Sequence, residues 1–279
     1  MSIDPQLRSL NIDIPACPQT LVKLSLLMSQ DDARVGEMAE LIEADMALAS
    51  AIVRTVNSAL FGLLHRVQTV HEAVRYLGMR EVAGITFEMG LRAAFPPGPL
   101  LERIWDRAGL RGLAMSRVAA QLETDAWLAH TSGLFAESGR AVLYAYDRQR
   151  YTELEAAAAA DEAAVIAAEV EAFGVSHAAL GAALCRSWGL AADVAAFVRA
   201  RPQSAEDWAR ETPRVQRLLA IGAEVDAALE PLQAHESGGL LRADAACALV
   251  GWSAEAVREV TAAVCAPLSA PGGPAGAGR

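Results

Sequence analysis

The chain has 279 residues, 53% of them apolar and 5% aromatic, which excludes a largely disordered protein and favours helices over a β-sandwich or barrel. Thirty-four acidic residues against 24 basic residues give a formal net charge of −10. Because a nucleic-acid-binding protein needs a basic surface to neutralise phosphates, and the sequence contains no basic run, we expect no direct nucleic-acid partner.

Apolar residues at helical spacing predict a series of short helices in the first third of the chain. These helices are predicted at 21–28, 35–42, 46–56, 71–77 and 81–94. Asp45 is placed to cap the third of them, and Asn57-Ser58 ends it. The pair Asn57-Ser58 either satisfies backbone groups at the helix end or contacts a ligand. The PPGP segment at 96–99 stops the last of these helices.

The remainder of the chain also predicts helices. They are expected at 100–122, 126–135, 151–173, 177–188, 191–201, 243–250 and 254–264, and a more polar piece covers 206–228. The second of these helices is expected to be interrupted near Gly133 and Gly139. Ser176 is placed to cap the helix that begins at His177, and Gly181 within it lets a neighbouring helix approach closely. No segment alternates as a strand does, so the sequence predicts an all-α fold.

Cysteine spacing and the chain termini indicate a cytoplasmic protein. The cysteines are far apart and form no C-x-x-C pair, which favours reduced, mostly buried thiols at Cys17, Cys185, Cys247 and Cys265. The N-terminal segment lacks a basic region followed by an apolar one, so it predicts no signal peptide. The uncharged stretch 260–278 is long enough to span a membrane, but its several prolines and glycines predict a loose tail instead.

Standard catalytic and cofactor-binding motifs are missing from the sequence. It has no P-loop, no G-x-G-x-x-G, no H-E-x-x-H and no G-x-S-x-G. No two of the five histidines stand three or four residues apart, so no single helix offers a pair of imidazole ligands. We therefore expect no cofactor, although folding can bring distant ligands together.

The order of several segments is more informative than any one residue. The stretch from IPACPQTLVKL to VNSALFG (14–62) precedes VHEAVRYLGMREV (70–82), TSGLFAESGRAVL (131–143) and FGVSHAALGAALCRSWGL (173–190). This succession resembles the HDOD family, the HD-related output domains of bacterial signalling proteins. The resemblance implies an HD-like helical bundle. It divides the chain into an N-terminal segment at 1–13, an HDOD domain at 14–205, a helical C-terminal extension at 206–266 and a disordered tail at 267–279.

The HDOD family is similar to the HD phosphohydrolases, which include HD-GYP enzymes that cleave cyclic dinucleotides. Those enzymes bind divalent metal through a first His, an adjacent His-Asp pair, and later His and Asp residues. By this resemblance, the corresponding vestigial positions are Arg107 (or its neighbour Asp106), Ala136-Glu137, His177, Arg199 and Arg201. One imidazole and one carboxylate survive, whereas a catalytic metal site needs three or more protein donors.

The resemblance therefore implies a non-catalytic signal-transduction module that acts by protein–protein interaction. Its expected partners are signalling proteins, with no membrane partner, and the residues after Pro202 offer a surface for a partner or a homodimer. A first alternative is a residual metal-dependent phosphohydrolase that uses Asp106, Glu137 and His177. A second alternative is a sensor that binds a nucleotide or another anion in the vestigial cleft through Arg107, Arg199 and Arg201.

Overall fold

The structure is a computed structural model that describes residues 12–30, 32–58, 61, 63–158, 162–229 and 239–268. Within these ranges the regular elements are helices and no residue lies in a β-strand, which confirms the all-α prediction. In chain order the helices are α1 (Gln19–Met28), α2 (Val35–Glu43), α3 (Met46–Val56), α4 (Val70–Leu77), α5 (Met79–Ala93), α6 (Pro99–Gln121), α7 (Ala126–Phe135), α8 (Ser138–Tyr146), α9 (Arg148–Ala158), α10 (Glu162–Phe173), α11 (His177–Ser187), α12 (Ala192–Ala200), α13 (Ala205–Trp208), α14 (Pro213–Leu229), α15 (Gly239–Leu249) and α16 (Ala254–Cys265).

The chain forms two compact units, of which the N-terminal unit comprises Ala16–Ala94 together with the described residues 266–268 and holds α1 to α5. Its helices begin where the sequence supplies caps. The Asp45 carboxylate accepts hydrogen bonds from the backbone N–H groups of Ala47 and Leu48 at 3.0 and 3.1 Å, as predicted. The apolar face of each helix points inward, and Leu21, Leu24, Met38, Ile42, Ile52 and Val56 are fully or almost fully buried.

The C-terminal unit comprises Phe95–Cys265 and holds α6 to α16. Helix α6 packs against α7, α14 and α16, helix α11 packs against α8 and α12, and α14 packs against α15 and α16. Helices beyond residue 205 are thus part of the same core as α6. The compact units divide near residue 94, so the predicted division between 205 and 206 does not coincide with a boundary between them.

The sequence analysis predicted an interruption near Gly133 and Gly139, but both glycines lie within helices. Gly133 is inside α7, and Gly139 is inside α8, which was not predicted. Helix α8 passes very close to α11 at Gly139, and this close approach requires a residue without a Cβ atom. A Cβ atom on Gly139 would lie 2.6 Å from the backbone nitrogen of Gly181 and closer still to the carbonyl oxygen of His177. Gly181 is the facing residue on α11, so the predicted close approach at Gly181 is confirmed.

The alanine-rich stretch 151–173 was predicted as one helix, and the structure describes it as α9 and α10 on either side of residues 159–161, which lie outside the described ranges. Residues 230–238 lie outside the described ranges, and so do residues 269–279, which make up most of the predicted tail. All four cysteines are free, and Cys185, Cys247 and Cys265 are buried, as predicted.

No single described helix is long and apolar enough to cross a membrane. The pair formed by α10 and α11, bent by 77° at the junction, reaches the necessary length and composition when taken together.

Candidate functional site

Glu137 is the centre of a buried network of ion pairs in the C-terminal unit. It occupies the turn between α7 and α8, where Ser138 donates a hydrogen bond from Oγ to the carbonyl oxygen of Phe135 at 2.8 Å. The turn places the carboxylate inward, and Glu137 is only 4% exposed. An unpaired carboxylate at this depth would be very costly, so its partners define the site.

Two arginines of α6 hold the two oxygens of Glu137. Arg107 Nη2 lies 2.7 Å from Oε2, and Arg111 Nη2 lies 3.1 Å from Oε1. The two arginines are four residues apart and therefore share one face of α6. Burial would by itself raise the pKa of Glu137, but the positive charges of Arg111, Arg107, Arg140 and Arg201 hold that pKa well below its usual range. Glu137 is therefore an anion whose charge is already compensated by the chain.

Arg201, at the C-terminal end of α12, extends the network to α14 and α10. Its Nη2 is 4.0 Å from Glu137 Oε1 and also pairs directly with Glu162, and its Nη1 donates to Asp226 Oδ2 at 3.2 Å. Asp226 accepts a second hydrogen bond from Arg111 Nε at 2.6 Å. One carboxylate of α14 thus bridges α6 and the end of α12.

Arg140 follows Glu137 on the first turn of α8. Its Nη1 donates to both oxygens of Glu155 on α9 at 3.0 Å, and its Nη2 lies 4.0 Å from Glu162 Oε1. Burial would lower the pKa of this guanidinium, but the neighbouring carboxylates, Glu137 first among them, raise it above the usual value. Arg140 is therefore a fixed cation.

His177 lies at the start of α11, whose cap is Ser176 as predicted: Ala179 N–H donates to Ser176 Oγ at 3.3 Å. The Nδ1 atom of His177 is 2.8 Å from Glu169 Oε2, and its backbone N–H donates to the same oxygen at 2.7 Å. Tyr151 donates from its hydroxyl to Glu169 Oε1 at 2.9 Å. Burial opposes ionisation of Glu169, but His177 and Tyr151 lower its pKa from the usual value.

The structure brings together some of the residues predicted from the sequence and not others. Arg107, Glu137 and Arg201 meet in one network, and His177 joins its edge, with Nε2 3.8 Å from Glu162 Oε1. Ala136 is buried in the turn beside Glu137. Arg199 and Asp106, by contrast, lie on the exposed faces of α12 and α6.

Sequence reasoning missed most of the partners in the network: Arg111, Arg140, Glu155, Glu162, Glu169 and Asp226. The four arginines of the network face five carboxylates, so the cluster carries a formal charge of −1 when His177 is neutral. Among the residues that the structure describes, no three His, Cys, Asp or Glu side chains are grouped so as to hold a metal ion.

Known proteins share both sequence and fold with this chain. The sequence model of the HDOD domain matches residues 14–204. An uncharacterised protein of Treponema pallidum (strain Nichols) is 25% identical over 190 residues, which are 67% of this chain and 37% of that protein. The chain thus spans little more than a third of that curated relative.

Two solved structures share the fold. A candidate phosphohydrolase from Shewanella amazonensis SB2B superposes with a TM-score of 0.71 at 20% identity, covering 94% of both chains. A candidate signal transduction protein from Marinobacter aquaeolei VT8 gives a TM-score of 0.71 at 21% identity, covering 95% of this chain and 60% of the other. Because the HDOD sequence model matches well over half of the residues, this chain belongs to the HDOD domain family.

Proposed function

We propose that this protein is a non-catalytic signal-transduction module that acts by binding another protein. The observation that supports this proposal is the pairing of Glu137 with Arg107 and Arg111 at 2.7 and 3.1 Å. By the resemblance to HD phosphohydrolases, Arg107 and Glu137 are expected to correspond to metal-ligand positions of those enzymes. In this chain a guanidinium neutralises the carboxylate there.

The residues at these positions do not fit a divalent metal. A guanidinium has no lone pair to donate, since all its nitrogens act as hydrogen-bond donors. Its fixed charge would also oppose the cation: at about 4 Å and an effective dielectric constant near 20, charges of +1 and +2 repel by roughly 8 kcal/mol. Both oxygens of Glu137 are engaged by arginines, and Nδ1 of His177 is engaged by Glu169.

The alternative of a residual phosphohydrolase required Asp106, Glu137 and His177 to act together. Asp106 lies on the exposed face of α6, whereas Glu137 and His177 are 4% and 1% exposed. The solved relatives include a candidate phosphohydrolase and a candidate signal transduction protein, so the fold alone does not choose between the two functions. The ion network favours the signalling role.

A protein partner is supported by large apolar side chains that face solvent on the N-terminal unit. Leu26, Met46, Leu64 and Tyr76 are 64%, 81%, 96% and 61% exposed. Apolar side chains grouped on a surface are a feature of sites that bind other proteins, so these four residues are the proposed contact with the partner.

Metal titration and hydrolysis assays test the absence of catalysis. The wild-type protein, supplied with Mn²⁺ or Zn²⁺, is expected to show no saturable metal binding by calorimetry and no turnover of bis(p-nitrophenyl) phosphate or a cyclic dinucleotide. A triple variant, Arg107→His with Ala136→His and Glu137→Asp, rebuilds the donor types of the parent enzymes and is expected to gain metal binding. Stoichiometric metal in the wild type, with turnover that Glu137→Gln abolishes, would refute the proposal.

Capture from a native lysate tests the interaction role. The immobilised wild-type protein is expected to retain a specific partner that Met46→Ser and Tyr76→Ser variants lose, because both side chains face solvent and their replacement leaves the core intact. Leu241→Ser, at a 77% exposed position of the C-terminal unit, is the matched control. Equal retention by all three variants would argue against the N-terminal surface.

A further inference from the structure

Glu162, the first residue of α10, points into a niche formed by three basic side chains from three different helices. We call this set the Glu162 niche: Arg140 on α8, His177 on α11 and Arg201 at the end of α12. Arg201 Nη2 pairs directly with Glu162 Oε1, while His177 Nε2 and Arg140 Nη2 lie 3.8 and 4.0 Å from the same oxygen. All three basic groups therefore converge on one point.

One carboxylate oxygen does not satisfy the donors of this niche. A hydrogen bond requires a separation of about 2.7 to 3.2 Å between donor and acceptor, and only Arg201 comes that close. In the parts of the chain that the structure describes, Arg140 Nε, Arg201 Nε and His177 Nε2 are buried and have no hydrogen-bond partner. Buried polar atoms are nearly always hydrogen-bonded in native proteins. His177 Nε2 and Arg140 Nη2 face Glu162 at 3.8 and 4.0 Å, so the hydrogen-bonding capacity of the niche exceeds what Glu162 uses.

Each basic group of the niche also has a carboxylate of its own on another side. Glu155 holds Arg140, Asp226 holds Arg201, and Glu169 holds His177, at 3.0, 3.2 and 2.8 Å. Glu137 is a further neighbour, 4.0 Å from Arg201 Nη2. These pairs fix the three basic groups in place, so that the side on which Glu162 sits is the one left for an exchangeable anion.

The niche also stabilises negative charge. Burial would raise the pKa of Glu162, but the charges of Arg201, His177 and Arg140 lower it from its usual value. The side chain of Glu162 keeps 27% of its surface exposed, unlike the nearly buried Arg140 and His177. Glu162 is therefore the most exposed of the four residues that form the niche.

We propose that the Glu162 niche is a binding site for a phosphate group, and that the carboxylate of Glu162 occupies this site when no phosphate is bound and competes with it. A phosphate group presents several oxygens on a tetrahedron and accepts paired hydrogen bonds from guanidinium groups. It can therefore bond to Arg140, His177 and Arg201 at once, where a single carboxylate oxygen bonds to one. The phosphate takes the place of Glu162, which turns to the solvent. This inference rests on the proposed function only in that the phosphate group is held and not cleaved.

Removal of the competitor tests the site directly. Glu162→Ala is expected to bind inorganic phosphate at least 10-fold more tightly than the wild type, measured by calorimetry at constant ionic strength with chloride as the balancing ion. Glu171→Ala is the matched control, because Glu171 lies on the exposed face of the same helix and the variant makes the same change in net charge. Equal phosphate affinity in the two variants, or none in either, would overturn the proposal.

Two more variants keep the test decisive. Glu162→Gln removes the charge with little change of shape, so it replaces Glu162→Ala if that variant does not fold. Adding Arg201→Lys to either variant keeps the positive charge but removes the guanidinium fork, and is expected to abolish the gain in phosphate affinity. A gain that survives Arg201→Lys would place the phosphate outside the niche.

Two ligands distinguish the source of the phosphate group and separate this inference from the proposed function. Binding of adenosine 5′-monophosphate with an affinity similar to that of inorganic phosphate would indicate a phosphate ester, whereas binding of inorganic phosphate alone would indicate the free ion. Conversion of the monophosphate to adenosine would refute the non-catalytic role while leaving the niche in place. Absence of binding by both ligands to Glu162→Ala would refute the niche and leave the non-catalytic role standing.

Discussion

Arg107 and Glu137 form an ion pair of 2.7 Å that joins α6 to the turn between α7 and α8. The guanidinium supplies the positive charge that a buried carboxylate requires, and Arg111 supplies a second one from the next turn of α6 at 3.1 Å. Because a buried charge is tolerated only when it is paired, these contacts fix the turn between α7 and α8. The polar residues at this turn therefore contribute to the stability of the C-terminal unit.

The two arginines are expected to differ in their contribution to stability. The side chain of Arg111 is 7% exposed and holds both Glu137 and Asp226, whereas the side chain of Arg107 is 38% exposed. Arg111→Met should lower the free energy of unfolding by about 3 to 5 kcal/mol, because it leaves buried carboxylates without their partner. Arg107→Met should cost about 1 kcal/mol or less, since solvent screens the exposed pair.

Urea unfolding at pH 7 measures both losses. The double variant Arg111→Met with Glu137→Gln is expected to cost less than the sum of the two single variants, because Glu137→Gln removes the anion that Arg111→Met leaves unpaired. Equal losses for Arg107→Met and Arg111→Met would contradict the assignment of Arg111 as the principal partner.

Acid should destabilise the C-terminal unit through its buried carboxylates. The pKa values of Glu137, Glu162 and Glu169 are lowered from 4.5, although burial alone would raise them, because arginines and His177 surround them. A carboxyl group with a lowered pKa in the folded state adds stability above its unfolded pKa, and this stability is lost as the pH falls through the folded value. Stability should therefore fall progressively below about pH 4.5.

Glu137→Gln separates this effect from general acid unfolding. The variant should be less stable than the wild type at pH 7 and should lose less stability on acidification, as followed by urea unfolding between pH 7 and pH 3. Glu224 is the contrasting control because burial raises its pKa, against the opposing contacts of Arg258. Protonation of Glu224 at low pH removes the free-energy cost of burying its charge. In Glu224→Gln, the loss of stability between pH 7 and pH 3 should therefore be as large as in the wild type or larger.

Much of the fold could be predicted from local sequence patterns. The helical spacing of apolar residues, the caps at Asp45 and Ser176 and the small residue at Gly181 each depend on residues a few positions apart, and the structure confirms them. Helix α8 was missed because Gly139 is a helix breaker by propensity. Only the position of α11, nearly forty residues later, explains why glycine stands there.

The site was predictable only in outline. The resemblance to HD enzymes located Arg107, Glu137, His177 and Arg201, but nothing in the sequence joined Arg111 to Asp226, 115 residues away. One local signal was available, since Arg107 and Arg111 are four residues apart on a predicted helix and must share a face. The partners of buried charges otherwise depend on tertiary packing, which pattern and propensity do not encode.

The contact between α8 and α11 predicts a sharp difference between glycines. Gly139→Ala should prevent the C-terminal unit from packing as it does, because the new Cβ would meet the backbone of α11 at His177 and Gly181, which cannot yield as a flexible side chain can. Gly181→Ala should be milder, since its nearest neighbour would be the Val198 side chain at 2.9 Å.

Gly36→Ala is the control for these variants because nothing lies within 4 Å of the added atom. Gly36 is in α2, where alanine has the higher helix propensity, so this variant should be as stable as the wild type or more stable by up to about 1 kcal/mol. Soluble yield and thermal unfolding by circular dichroism measure the series. A Gly139→Ala protein with wild-type stability would show that α8 and α11 lie farther apart.

Asn57 should be essential to the N-terminal unit as a structural residue. Its Nδ2 donates to the carbonyl oxygens of Val53 and Val67 at 2.9 and 2.8 Å, and its Oδ1 accepts from the backbone N–H of Val67 at 2.9 Å. The side chain thus ties the end of α3 to the segment before α4, which favours the helix-end interpretation of the Asn57-Ser58 pair over ligand contact. Asn57→Asp should cost about 2 kcal/mol, because it removes both donors and faces a carboxylate with two carbonyl oxygens.

The exposed neighbour provides the control, since Ser58→Ala should change stability by less than about 0.5 kcal/mol. Hydrogen exchange read by mass spectrometry should show faster exchange at Val67 in Asn57→Asp and unchanged exchange in Ser58→Ala. The loss in Asn57→Asp should shrink as the pH falls toward 3, because a protonated carboxyl group can again donate a hydrogen bond to one of the two carbonyls. A loss that is the same at pH 7 and pH 3 would mean that the negative charge is not its cause, and that Asn57 acts through packing alone.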